Sequence, residues 1–244
     1  KQLHMKKMLF LALSYCLVMA ASGQEKTLNL AYWKVKLGQR NLLYKAMAEH
    51  NAKYRPAGGE YALVAFNIVG GEHHGEIAIL SNLGKSFTDR DKSTPMPEAM
   101  LDDAYKTIMP YLEAITGGDV LVYKADYSNS PFSDRTEKIL STVYHLKYSN
   151  GNEFWDVVKK LPKAWTQAKM TVAGYVPTTG TSRLIFSRRM PNGWSELDEN
   201  KKLSEAYDAV YGKGAYEKDV QVFRSGVEKK ETIMMTLNKE ISSK

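Results

Sequence analysis

Cysteine is nearly absent from this chain of 244 residues, since Cys16 is the only one. A single cysteine cannot form an intramolecular disulfide, so packing must supply the stability of the fold. Three sequence motifs are also missing: GxxxxGK[ST], GxGxxG after a strand, and the GxSxG elbow. Their absence disfavours P-loop nucleotide hydrolases, Rossmann dehydrogenases and hydrolases of the elbow type.

Long apolar runs are scarce, and the one that stands out lies near the N-terminus. Two lysines precede the run Met8–Met19, and small residues ending at Gly23 follow it. The run is shorter than the roughly 20 apolar residues that a membrane-spanning helix needs. The pattern is typical of a secretory signal peptide over residues 1–23, with residues 1–4 upstream of the initiator Met5. We therefore expect a secreted or periplasmic protein with no membrane span after cleavage near Gly23.

The position of Cys16 bears on lipid attachment, and the distribution of charge bears on nucleic-acid binding. Cys16 lies inside the apolar run between Tyr15 and Leu17, a context that disfavours a lipoprotein signal. Cleavage would remove three lysines and no acid, which lowers the formal net charge from +7 to +4. Lysines and acids are interspersed along the rest of the chain without a basic block, so we expect no nucleic-acid partner.

One stretch of the remaining sequence occurs twice. Leu28–Tyr44 matches Leu140–Val157 at a shift of 111 positions, which aligns Trp33 with Tyr144. A second pair of matching segments follows in the same order, Leu101-Asp-Asp-Ala-Tyr105 and Leu203-Ser-Glu-Ala-Tyr207. Two matches in the same order predict a duplicated unit of roughly a hundred residues.

Apolar periodicity predicts the same element order, β-α-β-β-α-β, in each copy. The elements of the first copy are strand 27–37, helix 41–54, strands 61–69 and 76–81, helix 98–115 with Pro110 as a kink or break, and strand 119–127. Those of the second are strand 138–148, helix 152–169, strands 170–176 and 182–188, helix 196–221 interrupted around 212–214, and strand 231–237. The expected division is a first ferredoxin-like unit over 24–127, a turn-rich linker over 128–137 and a second unit over 138–244.

The two tandem units resemble the dimeric α/β-barrel superfamily, in which two ferredoxin-like sheets pair into a barrel with helices outside. The resemblance covers nearly all of the chain after residue 23, and implies an α+β fold in which one chain supplies both sheets. The superfamily includes antibiotic-biosynthesis and haem-degrading monooxygenases and the chlorite dismutase and dye-decolorising peroxidase group. No family motif matches residue by residue, so the resemblance transfers no catalytic residue.

The alternation of the two matching first strands assigns a direction to their side chains. The more apolar face, expected under the helices, carries Trp33, Val35, Leu37, Tyr144, Leu146 and Tyr148. The opposite face, expected toward the barrel interior or its mouth, carries Tyr32, Lys34, Lys36, Val143, His145 and Lys147. A buried lysine needs an anionic partner or water. One hypothesis is a ligand-binding cleft formed by Tyr32, Lys34, His145 and Lys147, and the alternative is an ordinary solvated sheet face.

Two other groups of residues are candidates for binding. Arg183, Arg188 and Arg189 could contact an acidic ligand or simply decorate a strand; we assign Arg183 to the candidate ligand site. Glu72, His73 and His74 could bind a divalent metal from a turn, since imidazole and carboxylate suit zinc, iron or copper. The alternative for these residues is an exposed turn between two strands, with no ligand role. A haem group would need a free histidine as axial ligand.

Three classes of function remain open. The first is binding of a small anionic or aromatic molecule in a cleft of the barrel. The second is a monooxygenase-like or haem-associated oxidoreductase, and the third is a protein–protein interaction module, as a monomer or a homodimer. Binding is favoured over catalysis because the residues assemble no complete catalytic constellation, and no cofactor is identified.

Overall fold

The computed structural model describes residues 25–199 and 202–244, so the expected signal peptide over residues 1–23 lies outside the described residues. The described residues form eight strands: β1 Thr27–Val35, β2 Leu63–Gly71, β3 Ile77–Lys85, β4 Leu112–Lys124, β5 Lys138–Leu146, β6 Thr171–Pro177, β7 Arg183–Arg189 and β8 Val227–Leu237. They also form six α-helices: α1 Arg40–Tyr54, α2 Phe87–Asp91, α3 Glu98–Thr107, α4 Asn152–Gln167, α5 Leu203–Tyr211 and α6 Ala215–Ser225.

The eight strands form one closed barrel in the order β1-β3-β2-β8-β5-β7-β6-β4. Every pairing is antiparallel. The first four strands lie side by side as β4-β1-β3-β2, and the last four as β8-β5-β7-β6. Pairing of β2 with β8 and of β4 with β6 joins the two sets, so the fold is α+β and the barrel has no free edge.

Side chains alternate between the barrel interior and the helices outside. The interior core includes Leu28, Leu30, Phe66, Val143 and Ile185, contributed by both sets of strands. Two further cores lie outside the barrel wall. One packs α1 and α3 against the first four strands, and the other packs α4, α5 and α6 against β5, β6 and β7. None of the helices among the described residues is long and apolar enough to cross a membrane.

Helix α4 shows why the outer core forms. Its buried side chains Phe154, Val157, Val158 and Trp165 recur at helical spacing and form one apolar stripe. Phe154 stacks on Phe223 of α6, with ring centroids 5.3 Å apart. The stripe therefore fixes the helical layer on the outer face of the second sheet.

The direction predicted for the matching strands is confirmed within the strands and wrong beyond them. Trp33 and Val35 pack toward the α1 core, and Tyr144 packs with the α4 core. Leu37 and Tyr148, which were expected under the helices, are 101% and 104% exposed. The reason is that β1 ends at Val35 and β5 at Leu146, so alternation no longer applies to the two side chains.

The helix predicted over residues 98–115 is too long. Helix α3 ends at Thr107, and Pro110 lies in a short 3₁₀ turn directly before β4. Gly117 and Gly118, which follow the predicted helix, lie inside β4 with φ of +78° and +114°. Pairing of this segment with β1 along nearly its whole length therefore overrides the local helical spacing.

Two other elements differ from prediction more mildly. The last helical region divides into α5 and α6 around Gly212, as predicted, but its start is a 3₁₀ turn rather than α-helix. Residues 82–97, where the sequence predicts no helix or strand, contain the short helix α2. The Ser86 hydroxyl accepts from the Asp89 amide, while the Asp89 carboxylate accepts from the Ser86 amide. This reciprocal capping box stabilises a single helical turn.

Candidate functional site

A cavity of about 420 Å³ occupies the barrel interior. Its apolar walls are formed by Leu28, Leu30, Val64, Phe66, Leu80, Leu83, Leu121, Phe132, Ile139, Val143, Ile185, Ile233, Met235 and Leu237. Polar groups in the wall include Tyr32, Tyr175, Arg189 and the pair Ser141 and Ser187, whose hydroxyl oxygens lie 2.9 Å apart. Eight strands enclose just enough room for side chains or for one small ligand, and the small serines leave part of this interior unfilled.

The cavity is bounded at one end of the barrel by charged side chains. Toward this end, the last residues that line the cavity are Tyr32, Val143, Ile185 and Ile233. The next inward positions along β5, β7 and β8 are His145, Arg183 and Glu231, because side chains on one face recur every second residue. We call the charged end the layer made by Asp119, His145, Arg183, Lys229 and Glu231.

Ion pairs connect the members of the charged end. Arg183 binds Asp119 with two bonds, Nη2 to Oδ1 at 2.7 Å and Nη1 to Oδ2 at 3.0 Å. Lys229 Nζ lies 2.5 Å from Glu231 Oε1. The His145 Nε2 atom lies 3.1 Å from the same Glu231 oxygen. Because His145 Nε2 has no hydrogen-bond partner among the described residues, this contact counts as a charge contact rather than a hydrogen bond.

These contacts set the ionisation of Glu231. Burial opposes its negative charge, but the hydrogen bond from Lys229 and the contact with His145 outweigh burial and hold the pKa of Glu231 below its ordinary value. The carboxylate is therefore ionised at neutral pH, and the layer is a network of charges rather than of neutral groups.

Tyr32 connects the charged end with the cavity. Its ring stacks on His73 with centroids 4.0 Å apart and planes inclined by 13°. His73 in turn places Nδ1 2.9 Å from Glu76 Oε2. Burial, with added repulsion from Asp119, Glu231 and Glu76, raises the pKa of Tyr32 well above its usual range. The cavity therefore ends on a hydroxyl that stays protonated and can donate a hydrogen bond.

The structure brings together three of the five residues proposed for ligand binding. Tyr32, His145 and Arg183 lie at the same end of the barrel, and of these Tyr32 lines the cavity. Lys34 is half-exposed and donates to Glu113 at 2.6 Å. Lys147 follows β5 and is exposed. The interior direction expected for Tyr32 is thus observed, whereas Lys147 lies beyond the barrel wall.

The three residues proposed for a metal have separate surroundings. His73 and His74 lie in the turn between β2 and β3, where His74 is exposed and Glu72 faces Lys229 at 3.8 Å. Over residues 25–199 and 202–244, no group of three or more His, Cys, Asp or Glu side chains has an arrangement that could hold a metal ion.

The cavity also does not fit a haem group held by a histidine axial ligand. The side chains that line it include tyrosine, serine and arginine, and none of the lining residues is a histidine. The described part of the chain therefore offers no histidine axial ligand there.

At the opposite end the cavity reaches a set of basic side chains. The name open end is used here for four basic lining residues, Arg135, Arg189, Lys239 and Lys244, together with the acidic Asp134. Arg189 is the last residue of β7, points inward and is only 4% exposed. Its Nη1 donates to the Pro131 carbonyl at 2.6 Å and to the Ser130 hydroxyl.

The sequence pattern predicted the residues of the open end only in part. Arg189 was considered for an acidic ligand together with Arg183 and Arg188, and alternation places Arg183 and Arg189 on the same face of β7 without distinguishing these two. Arg188 points outward and contacts Glu196, whereas Arg189 faces the cavity. A signal was present in the one-residue offset between them, because adjacent residues of a strand face opposite sides.

A smaller cavity of about 150 Å³ lies between the second sheet and its helices. Its wall contains Asp219, which accepts hydrogen bonds from the Tyr207 hydroxyl and from Lys160, each at 2.7 Å. Burial opposes the charge on Asp219, but these two donors hold its pKa below the ordinary value. The carboxylate is thus already satisfied by neighbours within the chain.

Comparison with known proteins shows the fold. No protein-family model matches the chain, and no curated protein matches it significantly. Among solved structures, a candidate monooxygenase from Fusobacterium nucleatum superposes with a TM-score of 0.57 at 12% identity, covering 89% of this chain and 94% of that one. An anthrone oxidase-like protein gives 0.52 at 11% identity, with 89% and 93% covered.

A third solved structure, a candidate chlorite dismutase, gives a TM-score of 0.53 at 8% identity and covers 89% of this chain and 96% of that one. These are proteins of the dimeric α/β-barrel type. The likeness shows that the present chain has the same fold, as the element order had indicated.

Proposed function

We propose that this protein binds a small, largely apolar molecule inside its barrel. The observation that carries the proposal is the interior cavity of about 420 Å³ with predominantly aliphatic and aromatic walls. This volume lies within the range of about 300 to 1,000 Å³ that is usual for small-molecule sites. A few polar groups, Tyr32, Tyr175 and Arg189, are placed where they can orient a ligand.

Apolar burial in such a site supplies only part of the free energy that binding needs. A ligand that loses about 250 Å² of apolar surface gains about 6 kcal/mol from the transfer out of water. Loss of translational and rotational freedom offsets part of this gain. Additional polar contacts in the cavity are therefore needed for a dissociation constant below about 1 mM.

The binding test uses a neutral fluorescent probe and a variant that fills the cavity. N-phenyl-1-naphthylamine is apolar, uncharged and brighter in apolar surroundings. Leu30 lines the cavity from β1, so Leu30→Trp places an indole in the space the probe would occupy. Leu37→Trp makes the same replacement at a fully exposed position and is the matched control.

We expect the native protein and Leu37→Trp to bind the probe alike. Leu30→Trp should bind at least about 10-fold more weakly, since a ligand that overlaps the new side chain loses its apolar contacts. Urea unfolding of each variant verifies that Leu30→Trp is folded. Absence of probe binding by the native protein, or equal binding by a folded Leu30→Trp, would contradict the proposal.

Oxidation of the bound molecule is a second candidate. The observation in its favour is that structures of this fold include a candidate monooxygenase and an anthrone oxidase-like protein. Anthrone is a planar apolar molecule suited to the cavity, and its conversion to anthraquinone consumes one O₂ and releases one water. Oxygen uptake with anthrone that is faster than with Leu30→Trp would support this candidate. Equal uptake by the two proteins would remove it.

The proposal includes the expected location, division and assembly of the chain. The pattern over residues 1–23 supports export, and sequencing the N-terminus of the protein recovered outside the cytoplasm tests it. Duplication over 24–127 and 138–244 is supported by the equivalent strand orders β4-β1-β3-β2 and β8-β5-β7-β6. A barrel that closes within one chain favours a monomer, for which a dimer mass in solution would be the opposing result.

A further inference from the structure

We infer that the ligand of the barrel is an amphipathic monocarboxylate, bound with its carboxylate at the open end beside Arg189 and Arg135 and its apolar part directed toward Tyr32. The inference rests on the proposed binding of a molecule in the cavity. It adds the charge of the ligand and the direction in which it enters.

The first support is an imbalance of charge around the cavity. Among the described residues that line it, four side chains are basic and one, Asp134, is acidic. Arg135, Lys239 and Lys244 are exposed, and Lys239 pairs with Glu137, whereas Arg189 is buried beside the mostly apolar lining, where an opposite charge is attracted strongly. An apolar molecule with one negative group matches both parts of this lining.

The second support is the incomplete pairing of Arg189. This guanidinium is 4% exposed, yet its acidic neighbour Asp134 lies 3.7 Å away and has 47% of its side chain exposed. A buried cation is normally paired closely, because its desolvation is costly. The other contacts of its Nη1 atom are with neutral oxygens of Ser130 and Pro131. A ligand carboxylate could give the close, charge-assisted contact that Asp134 does not.

A tyrosine hydroxyl lies beside this guanidinium. Tyr175 lines the cavity from β6, in the strand next to β7. Burial raises the pKa of Tyr175, and contact with Arg189 opposes this shift without cancelling it. The hydroxyl therefore remains a donor at neutral pH. Arg189 and Tyr175 together present a cation and a neutral donor to the same part of the cavity.

The charged end disfavours the ligand carboxylate, so the apolar part of the ligand is directed toward it. Burial raises the pKa of Tyr32, the carboxylates of Asp119, Glu231 and Glu76 add to this shift, and Arg183 opposes it. The cations Arg183 and Lys229 are already paired there, because Arg183 is held by both oxygens of Asp119 and Lys229 lies 2.5 Å from Glu231. A ligand carboxylate placed there would have to lose its water and compete with Asp119 and Glu231 for these cations. The protonated Tyr32 hydroxyl can instead lie against an apolar end of the ligand or donate a hydrogen bond to a weakly polar one.

The length of the cavity suits a medium-sized ligand. Three successive inward residues of β1, Leu28, Leu30 and Tyr32, line it. At 3.3 Å per residue this row spans roughly 13 Å. The span fits a chain of about ten methylene groups or a planar system of fused rings, with the acid group added at the open end.

The test compares three probes of identical chain length: dodecanoate, dodecanol and dodecylamine. Each is titrated against bound N-phenyl-1-naphthylamine at neutral pH, where dodecanoate is ionised. We expect the native protein to bind dodecanoate roughly 10- to 100-fold more tightly than dodecanol, which is the range for a hydrogen bond to a charged group. Dodecylamine should bind most weakly of the three.

Two variants locate the acid group. Arg189→Gln should reduce dodecanoate affinity to about that of dodecanol, while leaving dodecanol affinity unchanged within about twofold. Arg135→Gln, at an exposed position that is safe for folding, should weaken dodecanoate by about threefold and also leave dodecanol unchanged. Arg224→Gln makes the same replacement on the exposed face of α6, and no effect is expected.

The outcomes separate the inference from the proposed function. Equal binding of dodecanoate and dodecanol by the native protein would overturn the inference while cavity binding stands. The same conclusion would follow if Arg135→Gln and a folded Arg189→Gln bound dodecanoate as the native protein does. Failure of every probe, N-phenyl-1-naphthylamine included, would instead contradict binding in the cavity itself. If Arg189→Gln does not fold, Arg135→Gln alone decides.

Discussion

The two ends of the barrel use the same strands in different ways. At the charged end, Arg183 is held by both oxygens of Asp119, and Glu231 is contacted by Lys229. At the open end, the buried Arg189 has no comparably close carboxylate among the described residues. The comparison teaches that alternation decides which side chains enter the barrel, whereas cross-strand neighbours decide whether a charged side chain has a close partner, as Arg183 does, or lacks a close carboxylate, as Arg189 does.

The largest effect on stability is expected when Arg183 is removed from the charged end. Arg183→Ala leaves the carboxylate of Asp119, whose side chain is 14% exposed, without its two bonds. Loss of one partner of a largely buried pair costs about 3 kcal/mol. Urea unfolding should show this loss, with Arg224→Ala as an exposed control.

The same variant distinguishes stability from binding. Because Arg183 does not line the cavity, a folded Arg183→Ala should bind dodecanoate within about twofold of the native protein. A large loss of affinity without a loss of stability would place Arg183 in the ligand site, as the sequence hypothesis had it, and would reverse the roles given to the two ends.

Acid should weaken the charged end before it affects the apolar cores. The pKa of Glu231 is lowered in the folded protein, so its contribution is complete above the ordinary value of 4.5 and is lost as pH falls through the lower folded value. Glu231→Gln should therefore reduce stability at pH 7 by about 1 kcal/mol and flatten its decline below pH 4.5. Unfolding midpoints measured from pH 7 to pH 3 test this, and parallel curves for both proteins would contradict it.

A smaller effect is expected at Tyr32, where the charged end meets the cavity. Tyr32→Phe keeps the stacked ring on His73 and removes the hydroxyl that faces the charged end. Stability should change by less than about 1 kcal/mol, and dodecanol affinity should fall by about two- to fivefold if its hydroxyl reaches Tyr32. Thermal unfolding with probe displacement checks both quantities. Unchanged dodecanol affinity would indicate that the alcohol group also stays at the open end.

The smallest change in stability is expected from Lys239→Gln at the open end. Lys239 pairs with Glu137, but both side chains are well exposed, and such pairs contribute within about 0.5 kcal/mol. Dodecanoate affinity should still fall about twofold at low salt and less at high salt, because the cation acts at a distance that ions screen. An effect independent of salt would argue for a direct contact instead.

Much of the barrel follows from patterns within single strands. The alternation of Tyr32 and Trp33 in β1, and of Val143 and Tyr144 in β5, placed these side chains on the correct faces of the wall. The β-α-β-β-α-β order also predicted the α+β barrel type. These are local signals, since each depends on residues that are neighbours along the chain.

The partners at each end could not be predicted in this way. Asp119 and Arg183 are 64 positions apart, and Arg189 and Ser130 are 59 apart. Their contacts depend on strand registers and on closure of the barrel, which no local period specifies. The helix predicted through Ile115 failed for the same reason, because pairing with β1 at Trp33 determines that segment.

Closure of the barrel has a consequence for how the chain is made. Strand β8 is the last in the sequence, yet it lies between β2 and β5 and joins the two halves. Until residues 227–237 have left the ribosome, both of those strands expose unpaired backbone groups that can join other chains. The nascent protein is therefore an incomplete barrel that can pair with other chains until β8 emerges, and a truncation that removes β8 should aggregate rather than give a smaller folded protein.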